Sequence, residues 1–167
     1  MSESIIDPID DLVKASAQQL LQRGFRLVVA ESCTGGWLAK VLTDLAGSSK
    51  WFDRGYITYS NQAKQSMLGV NRQTLEINGA VSEATVSEMT QGALQDSGAD
   101  VAIAISGIAG PSGGSVEKPV GLVCFSWQLK SRDAYTCSKW FAGDRQQVRG
   151  DAVKYALQEL LAQLKND

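Results

Sequence analysis

The stretch Phe25-Arg26-Leu27-Val28-Val29-Ala30-Glu31-Ser32-Cys33-Thr34-Gly35-Gly36 decides the fold. Leu27, Val28 and Val29 are consecutive and β-branched or aliphatic, so the run from Phe25 to Ala30 reads as a strand covered on both faces, which is the signature of a parallel sheet. Apolar residues then return at helical spacing, Trp37, Leu38, Val41, Leu42 and Leu45, until Gly47 stops them. The order is strand, tight glycine turn, helix. Upstream, Ile9, Leu12, Val13, Ala17, Leu20 and Leu21 recur at three and four before Gly24, which predicts an amphipathic helix from Pro8 to Arg23.

Downstream the same grammar repeats. Ser48-Ser49 opens a short connection into Trp51-Phe52, Tyr56 to Tyr59 reads as a second strand, and Asn61 to Met67 and Asn71 to Ile77 read as short helices. Ser82 caps a longer helix through Val86, Met89, Ala93 and Leu94. Asp100 to Ile105 is a strongly apolar strand that empties into Ser106-Gly107-Ile108-Ala109-Gly110-Pro111-Ser112-Gly113-Gly114. Gly121 to Leu129 and Tyr135 to Phe141 are joined by the polar turn Lys130-Ser131-Arg132-Asp133 and are expected to pair antiparallel. A last helix starts near Gly143-Asp144 and carries Val148, Ala152, Val153, Ala156, Leu157, Leu160, Leu161 and Leu164. The expectation is an α/β fold: a single domain over residues 1–167, with a mixed parallel and antiparallel sheet sandwiched between helices.

Composition narrows the chemistry. Sixteen Lys and Arg against eighteen Asp and Glu leave a net charge of −2, so no global positive field holds a nucleic acid. There are no histidines, which removes Ser-His and Cys-His nucleophile pairs and every His-ligated metal. Cys33, Cys124 and Cys137 form no C-x-x-C pair, so they suggest a reducing cytoplasm rather than a disulfide framework or zinc ribbon. No apolar run reaches the ~18 residues of a membrane span. The acidic start Met1-Ser2-Glu3 does not resemble a secretory leader.

Candidate site residues follow from the turns. Ligands of open α/β sheets gather at the carboxyl ends of strands. Thr34, Gly35 and Gly36 present backbone N–H groups at a helix start, suited to an oxyanion or phosphate, or else they only cap and pack that helix. The second glycine-rich turn is long for a plain connection, yet it fits neither a dinucleotide nor a triphosphate loop by spacing. Lys64 is a candidate base in a chain without histidine, the alternative being a solvated helix face. Arg145, at a helix start, suits a phosphate, the alternative being an ion pair with Asp144 or Asp151. Cys33 reads as a small buried thiol, and Trp37, Trp51, Phe52 and Trp140 as core or interface residues.

Six ordered motifs carry a resemblance. They are Ala30-Glu31-Ser32-Cys33-Thr34-Gly35-Gly36; Ala46-Gly47-Ser48-Ser49; Thr58-Tyr59-Ser60-Asn61 with Lys64; Gly79-Ala80-Val81-Ser82; Ser106-Gly107-Ile108-Ala109-Gly110-Pro111 through Gly113-Gly114 and Lys118-Pro119-Val120-Gly121; and Gly143-Asp144-Arg145. From about residue 10 onward the chain resembles the CinA C-terminal domain family, whose single-domain bacterial members are nicotinamide-mononucleotide deamidases. The larger members carry a nucleotide-pyrophosphatase-like domain ahead of this one, for which there is no room in this sequence.

The resemblance implies hydrolysis of the carboxamide of nicotinamide mononucleotide to nicotinic acid mononucleotide and ammonia, a step of the pyridine nucleotide cycle. It implies no metal and no cofactor. A serine activated by Lys64, with Tyr59 orienting or relaying a proton, attacks the amide while glycine-rich backbone amides hold the oxyanion. Ser48 is favoured as nucleophile, with Ser32 as its rival or as a substrate contact. Ser106, Gly107, Ile108, Ala109, Gly110, Thr34 and Arg145 are expected at the phosphate and ribose. The family tendency implies a homo-oligomer, dimer or higher. Two other classes stay open: a nucleotide-sensing module without turnover, and a competence-related interaction protein, which the charge of −2 disfavours.

Overall fold

The computed structural model describes residues 8–167; Met1-Ser2-Glu3 lie outside the described residues. The elements run α1 (Pro8–Arg23), β1 (Leu27–Glu31), α2 (Trp37–Asp44), a 3₁₀ turn (Ser48–Lys50), β2 (Phe52–Ile57), α3 (Asn61–Leu68), α4 (Arg72–Asn78), α5 (Glu83–Asp96), β3 (Val101–Gly107), β4 (Leu122–Leu129), β5 (Tyr135–Trp140) and α6 (Arg145–Lys165). One five-stranded sheet has the order β2-β1-β3-β4-β5. β1 pairs parallel with β2 and β3, whereas β3–β4 and β4–β5 are antiparallel. The mixed sheet between helical layers is thus as expected, and so is the antiparallel pairing of the last two strands.

Every residue of β1 is buried because each face of the sheet carries its own helical layer. Leu27, Val29, Ile103 and Ile105 pack with α1, α2 and α6 through Leu20, Leu38, Val153 and Leu157. Val28, Ala30, Ala102 and Ala104 pack on the other face with Leu68, Leu75, Val86 and Met89 of α3, α4 and α5. The second face is paved with small residues, so the helices above it sit close. Gly92 of α5 carries this further: a Cβ there would lie 1.9 Å from the carbonyl oxygen of Leu68 at the end of α3. Only a glycine admits the α3 backbone at that depth.

The second strand differs from its expected position. It spans Phe52–Ile57, and Tyr59 lies beyond it. β2 is an edge strand, and its Asp53 and Arg54 pair with each other at 2.7 Å and with Arg26 and Asp96, so polarity at its start concealed it. β1 also runs one residue further, through Glu31, and β3 continues to Gly107. The connections β1-α2-β2 and β2-α3-α4-α5-β3 cover opposite faces. The exits of β1 and β3, which are neighbours, therefore diverge and leave a crevice at the carboxyl end of the sheet.

The close approach at Gly92 is open to test. Gly92→Ala is expected to lower stability by about 1–3 kcal/mol through overpacking, read from urea unfolding midpoints. Gly98→Ala, where a Cβ meets nothing within 4 Å, should leave the midpoint within about 0.5 kcal/mol.

Candidate active site

Parallel pairing brings the ends of β1 and β2 together. The Ser32 N–H donates to the Ile105 carbonyl at 2.9 Å, and the Thr58 N–H donates to the Glu31 carbonyl at 2.8 Å, so both residues remain in the ladder just past their strands. By alternation Ser32, Thr58 and Ser106 all fall on the face covered by α3–α5, two residues beyond Ala30, Tyr56 and Ala104. Ser60 caps α3 by accepting from the Ala63 N–H at 3.0 Å, and the helix delivers Lys64 onto that row. The Lys64 Nζ donates to Ser32 Oγ at 2.9 Å and to the Thr58 carbonyl at 2.7 Å.

Lys64 is 1% exposed, and none of the ion pairs of the described residues involves it. Burial without a counter-charge disfavours the ammonium, and this pushes its pKa down to about 8 against a smaller opposing influence of Cys33. At pH 7 roughly a tenth of such a group is the free amine. That amine can take the proton of the hydroxyl it touches, the chemistry expected of Lys64, here paired with Ser32.

Ser48 is a correction. It starts the 3₁₀ turn that precedes β2, and the Trp51 carbonyl of that connection pairs with the Leu27 N–H at the beginning of β1. Ser48 therefore lies at the opposite end of the sheet from Lys64, separated by the length of β2, roughly 17 Å of strand. Tyr59 is a second correction to the expected grouping. Its hydroxyl accepts from Arg145 Nη2 at 3.0 Å, and Arg145 Nη1 donates to the Gly110 carbonyl at 2.9 Å. Tyr59 is thus joined to Arg145 rather than to Lys64, and Arg145 bridges the β2 exit and the second glycine loop instead of pairing with Asp144 or Asp151. Asp144 serves as N-cap of α6 in a reciprocal capping box with Gln147.

Several backbone groups expected to meet a ligand are engaged inside the protein. The Gly35 N–H donates to the Ser32 carbonyl at 3.0 Å, and the Ile108 N–H donates to the Leu122 carbonyl at 2.9 Å. Gly107 is where β3 needs to pass close to Val123, and Gly110 where the loop closes on Val120. Ala109 is buried, and Ser106 Oγ donates to the Ala80 carbonyl at 2.8 Å, tying β3 to the segment before α5. Gly35 and Gly36 both have positive φ, +58° and +97°, as the tight turn requires. Thr34 and Thr58 stand out differently: the Oγ1 atoms of both are buried with no hydrogen-bond partner. Such a hydroxyl costs about 1–3 kcal/mol, and both belong to the segments around the Lys64–Ser32 pair, Thr34 in the turn that Ser32 opens and Thr58 as the residue whose carbonyl Lys64 meets.

Sequence reasoning passed over two residues. Glu31 is fully buried, and its carboxylate accepts from the Leu38 and Ala39 N–H groups at 2.9 and 3.0 Å. It caps α2 from within β1 and fixes the span of the 32–36 turn. The signal was present: Gly36 precedes Trp37, so α2 has no side-chain cap of its own. Arg149 donates through Nε to the Cys33 carbonyl and through Nη2 to the Thr34 carbonyl, both at 3.0 Å, with its guanidinium 5.4 Å from the Trp37 ring centre. Cys33 is buried and its thiol is pushed up to about 12, chiefly by desolvation, so it is inert. Trp51 is buried in the core, whereas Trp140 is largely exposed. Among the described residues no group of three His, Cys, Asp or Glu could hold a metal, and no helix is long and apolar enough to cross a membrane.

The chain is similar to known proteins over nearly its whole length. The nicotinamide-nucleotide amidohydrolases PncC of Shigella flexneri and of Escherichia coli strain K12 are each 56% identical to it over 146 residues, 87% of this chain and 88% of theirs. The crystal structure of a competence-damaged protein (CinA) superfamily protein from Klebsiella pneumoniae 700603 superposes with a TM-score of 0.92 at 42% identity, covering 95% of this chain and 99% of that one. The family model for the CinA C-terminal domain matches residues 9–164. With 56% identity to single-domain relatives and a family match spanning almost every described element, the chain belongs to the CinA C-terminal domain family.

Proposed function

We propose that this protein is a nicotinamide-nucleotide amidase that hydrolyses nicotinamide mononucleotide to nicotinic acid mononucleotide and ammonia, with Ser32 as nucleophile and Lys64 as its base. The observation that carries the reading is the 2.9 Å contact between a buried, unpaired Lys64 amine and Ser32 Oγ. The names of the relatives at 56% identity support the substrate.

In the forward step Ser32 Oγ attacks the carboxamide carbon while its proton passes to the neutral Lys64 Nζ. The tetrahedral oxyanion faces backbone N–H groups of the 32–36 turn. Collapse breaks the C–N bond, and the Lys64 ammonium returns the proton to the departing amine, which leaves as ammonia. Water then attacks the acyl-serine with Lys64 as base again, and nicotinic acid mononucleotide is released. The Thr34 and Thr58 hydroxyls, unpartnered without substrate, are offered to the bound amide or to that water. Arg145, held by Tyr59 and the Gly110 carbonyl, takes the phosphate, with the Ser106–Gly110 segment beside it. No metal or cofactor takes part. The same reading places the enzyme in the cytoplasm as a homo-oligomer that acts on a small molecule, apart from nucleic acids and membranes.

Ammonia release from nicotinamide mononucleotide, nicotinamide riboside, nicotinamide and glutamine, with and without a metal chelator, tests it. Selective release from the mononucleotide, unaffected by chelator, is expected. A thermal shift with the mononucleotide and no ammonia would leave only a binding module. Ser32→Ala should lose about 10³-fold or more in kcat, while Ser48→Ala stays within about twofold. Arg145→Ala should raise KM about tenfold with a smaller effect on kcat.

The pH dependence follows from Lys64. The catalytic form is the free amine, so kcat/KM rises as pH increases through about 8 and levels above it. Between about 8 and the ordinary 10.5 the unfolded chain holds a proton that the folded chain has released. Stability from this group therefore increases with pH across that window and is lost as pH falls through about 8. Lys64→Met should abolish activity, remove this slope and raise the urea midpoint at pH 7, because it removes a buried charge.

A further inference from the structure

The geometry points to Arg149 as the positioning residue for the oxyanion donor, an inference that rests on the Ser32–Lys64 reading. α6 lies on the face opposite α3, with Val153 and Leu157 in one core and Leu68 in the other. Arg149 thus reaches the 32–36 turn from the side away from Lys64. There its fork is divided between two successive carbonyls, Nε on Cys33 and Nη2 on Thr34, each at 3.0 Å. Its plane is held over the Trp37 ring, and none of the ion pairs of the described residues uses it.

A trans peptide is planar, so a carbonyl held in one direction sends the following N–H in the other. Fixing the Thr34 carbonyl sets the Gly35 N–H, which is occupied by the Ser32 carbonyl. Fixing the Cys33 carbonyl sets the Thr34 N–H, which is thereby turned toward the layer from which Lys64 meets Ser32. That N–H, unlike those of Ser32 and Gly35, has no backbone acceptor among the described residues and is a donor for a carbonyl oxygen attacked by Ser32 Oγ. Without the guanidinium the Cys33 carbonyl loses the donor that holds it, and the Cys33–Thr34 peptide plane can turn about ψ of Cys33 and φ of Thr34. The donor is then no longer preorganised, and preorganisation is the source of an oxyanion hole's effect. The resting hydroxyl, its contact with Lys64 and the phosphate site are untouched by the change.

The test compares Arg149→Ala, Arg149→Lys and Trp37→Leu, with nicotinamide mononucleotide as substrate and urea midpoints measured alongside. Arg149→Ala should lose about 10²-fold in kcat with KM within about threefold, and added ethylguanidinium should restore about tenfold of that loss. Arg149→Lys, whose single ammonium cannot span two carbonyls, should lose about tenfold in kcat; it serves as the main readout should the alanine variant not fold. Trp37→Leu, which removes the stacking surface but not the carbonyl contacts, should lower the midpoint and leave kcat within about threefold. Arg149→Lys with wild-type kcat, or a loss in Trp37→Leu equal to that of the arginine variants, overturns the inference by making Arg149 merely a staple between α6 and α2. Ser32→Ala separates the two layers of the argument. If it is inactive while the arginine variants are not, Arg149 alone is misassigned, whereas wild-type activity in Ser32→Ala overturns the nucleophile itself.

Discussion

A lysine buried without a carboxylate is the constraint around which the rest of this structure is arranged. Its ammonium would gain several kcal/mol by moving into water, and the fold keeps it out by committing two strands and a helix to its surroundings. The Thr58 carbonyl and Ser32 Oγ accept its N–H groups. α3, which presents it, is fastened at one end by the Ser60 cap and at the other by the contact of Leu68 with Gly92. Loss of either end would let water reach Lys64 and restore its proton. In a chain without histidine, desolvation brings an amine down to a pKa of about 8, a property obtained from burial instead of from residue type.

The carboxyl end of the sheet adds an electrostatic context. α2, α3, α5 and α6 all begin there, since each follows a strand end or a loop at that edge. Their partial positive charges favour anions and disfavour a second cation, which supports both an oxyanion near Ser32 and a phosphate near Arg145. Glu31 is the counterweight. By accepting the Leu38 and Ala39 N–H groups it satisfies the start of α2 from within the sheet, so the turn after β1 is clamped from inside by a carboxylate and from outside by the Arg149 guanidinium. Ser32 sits on a backbone held at both edges.

Much of this was legible in the chain. The apolar periodicity of α1, α2 and α6 and the two continuous apolar strands β1 and β3 report burial between layers, and the layers are what the structure shows. Edge strand β2 starts earlier than its apolar residues suggest because Asp53 and Arg54 satisfy one another at the solvent boundary, and alternation is hidden when two consecutive residues, which point to opposite faces, are both charged. Glu31 looked like a loop residue because carboxylates seldom end a buried strand; its partners are backbone groups of another element, which no local pattern reveals. The glycines at 107 and 110 looked like ligand contacts, and each is also a place where the loop packs on Val123 or Val120, which no local pattern reveals.

Residue types and their order were enough to determine a histidine-free α/β domain with two glycine-bearing turns and the family's motifs, and to mark Lys64 as a candidate base. Which serine meets that base was decided only in three dimensions. Position 48 is nearer to 64 along the chain than position 32 is, yet parallel strands place end beside end and beginning beside beginning, so a residue ahead of β2 lies far from one that follows it. The exit of β1 therefore meets the exit of β2, and the connection between them is carried to the far end of the sheet. Proximity in a parallel sheet follows strand polarity rather than sequence distance, and for that reason Ser32, not Ser48, lies against the amine.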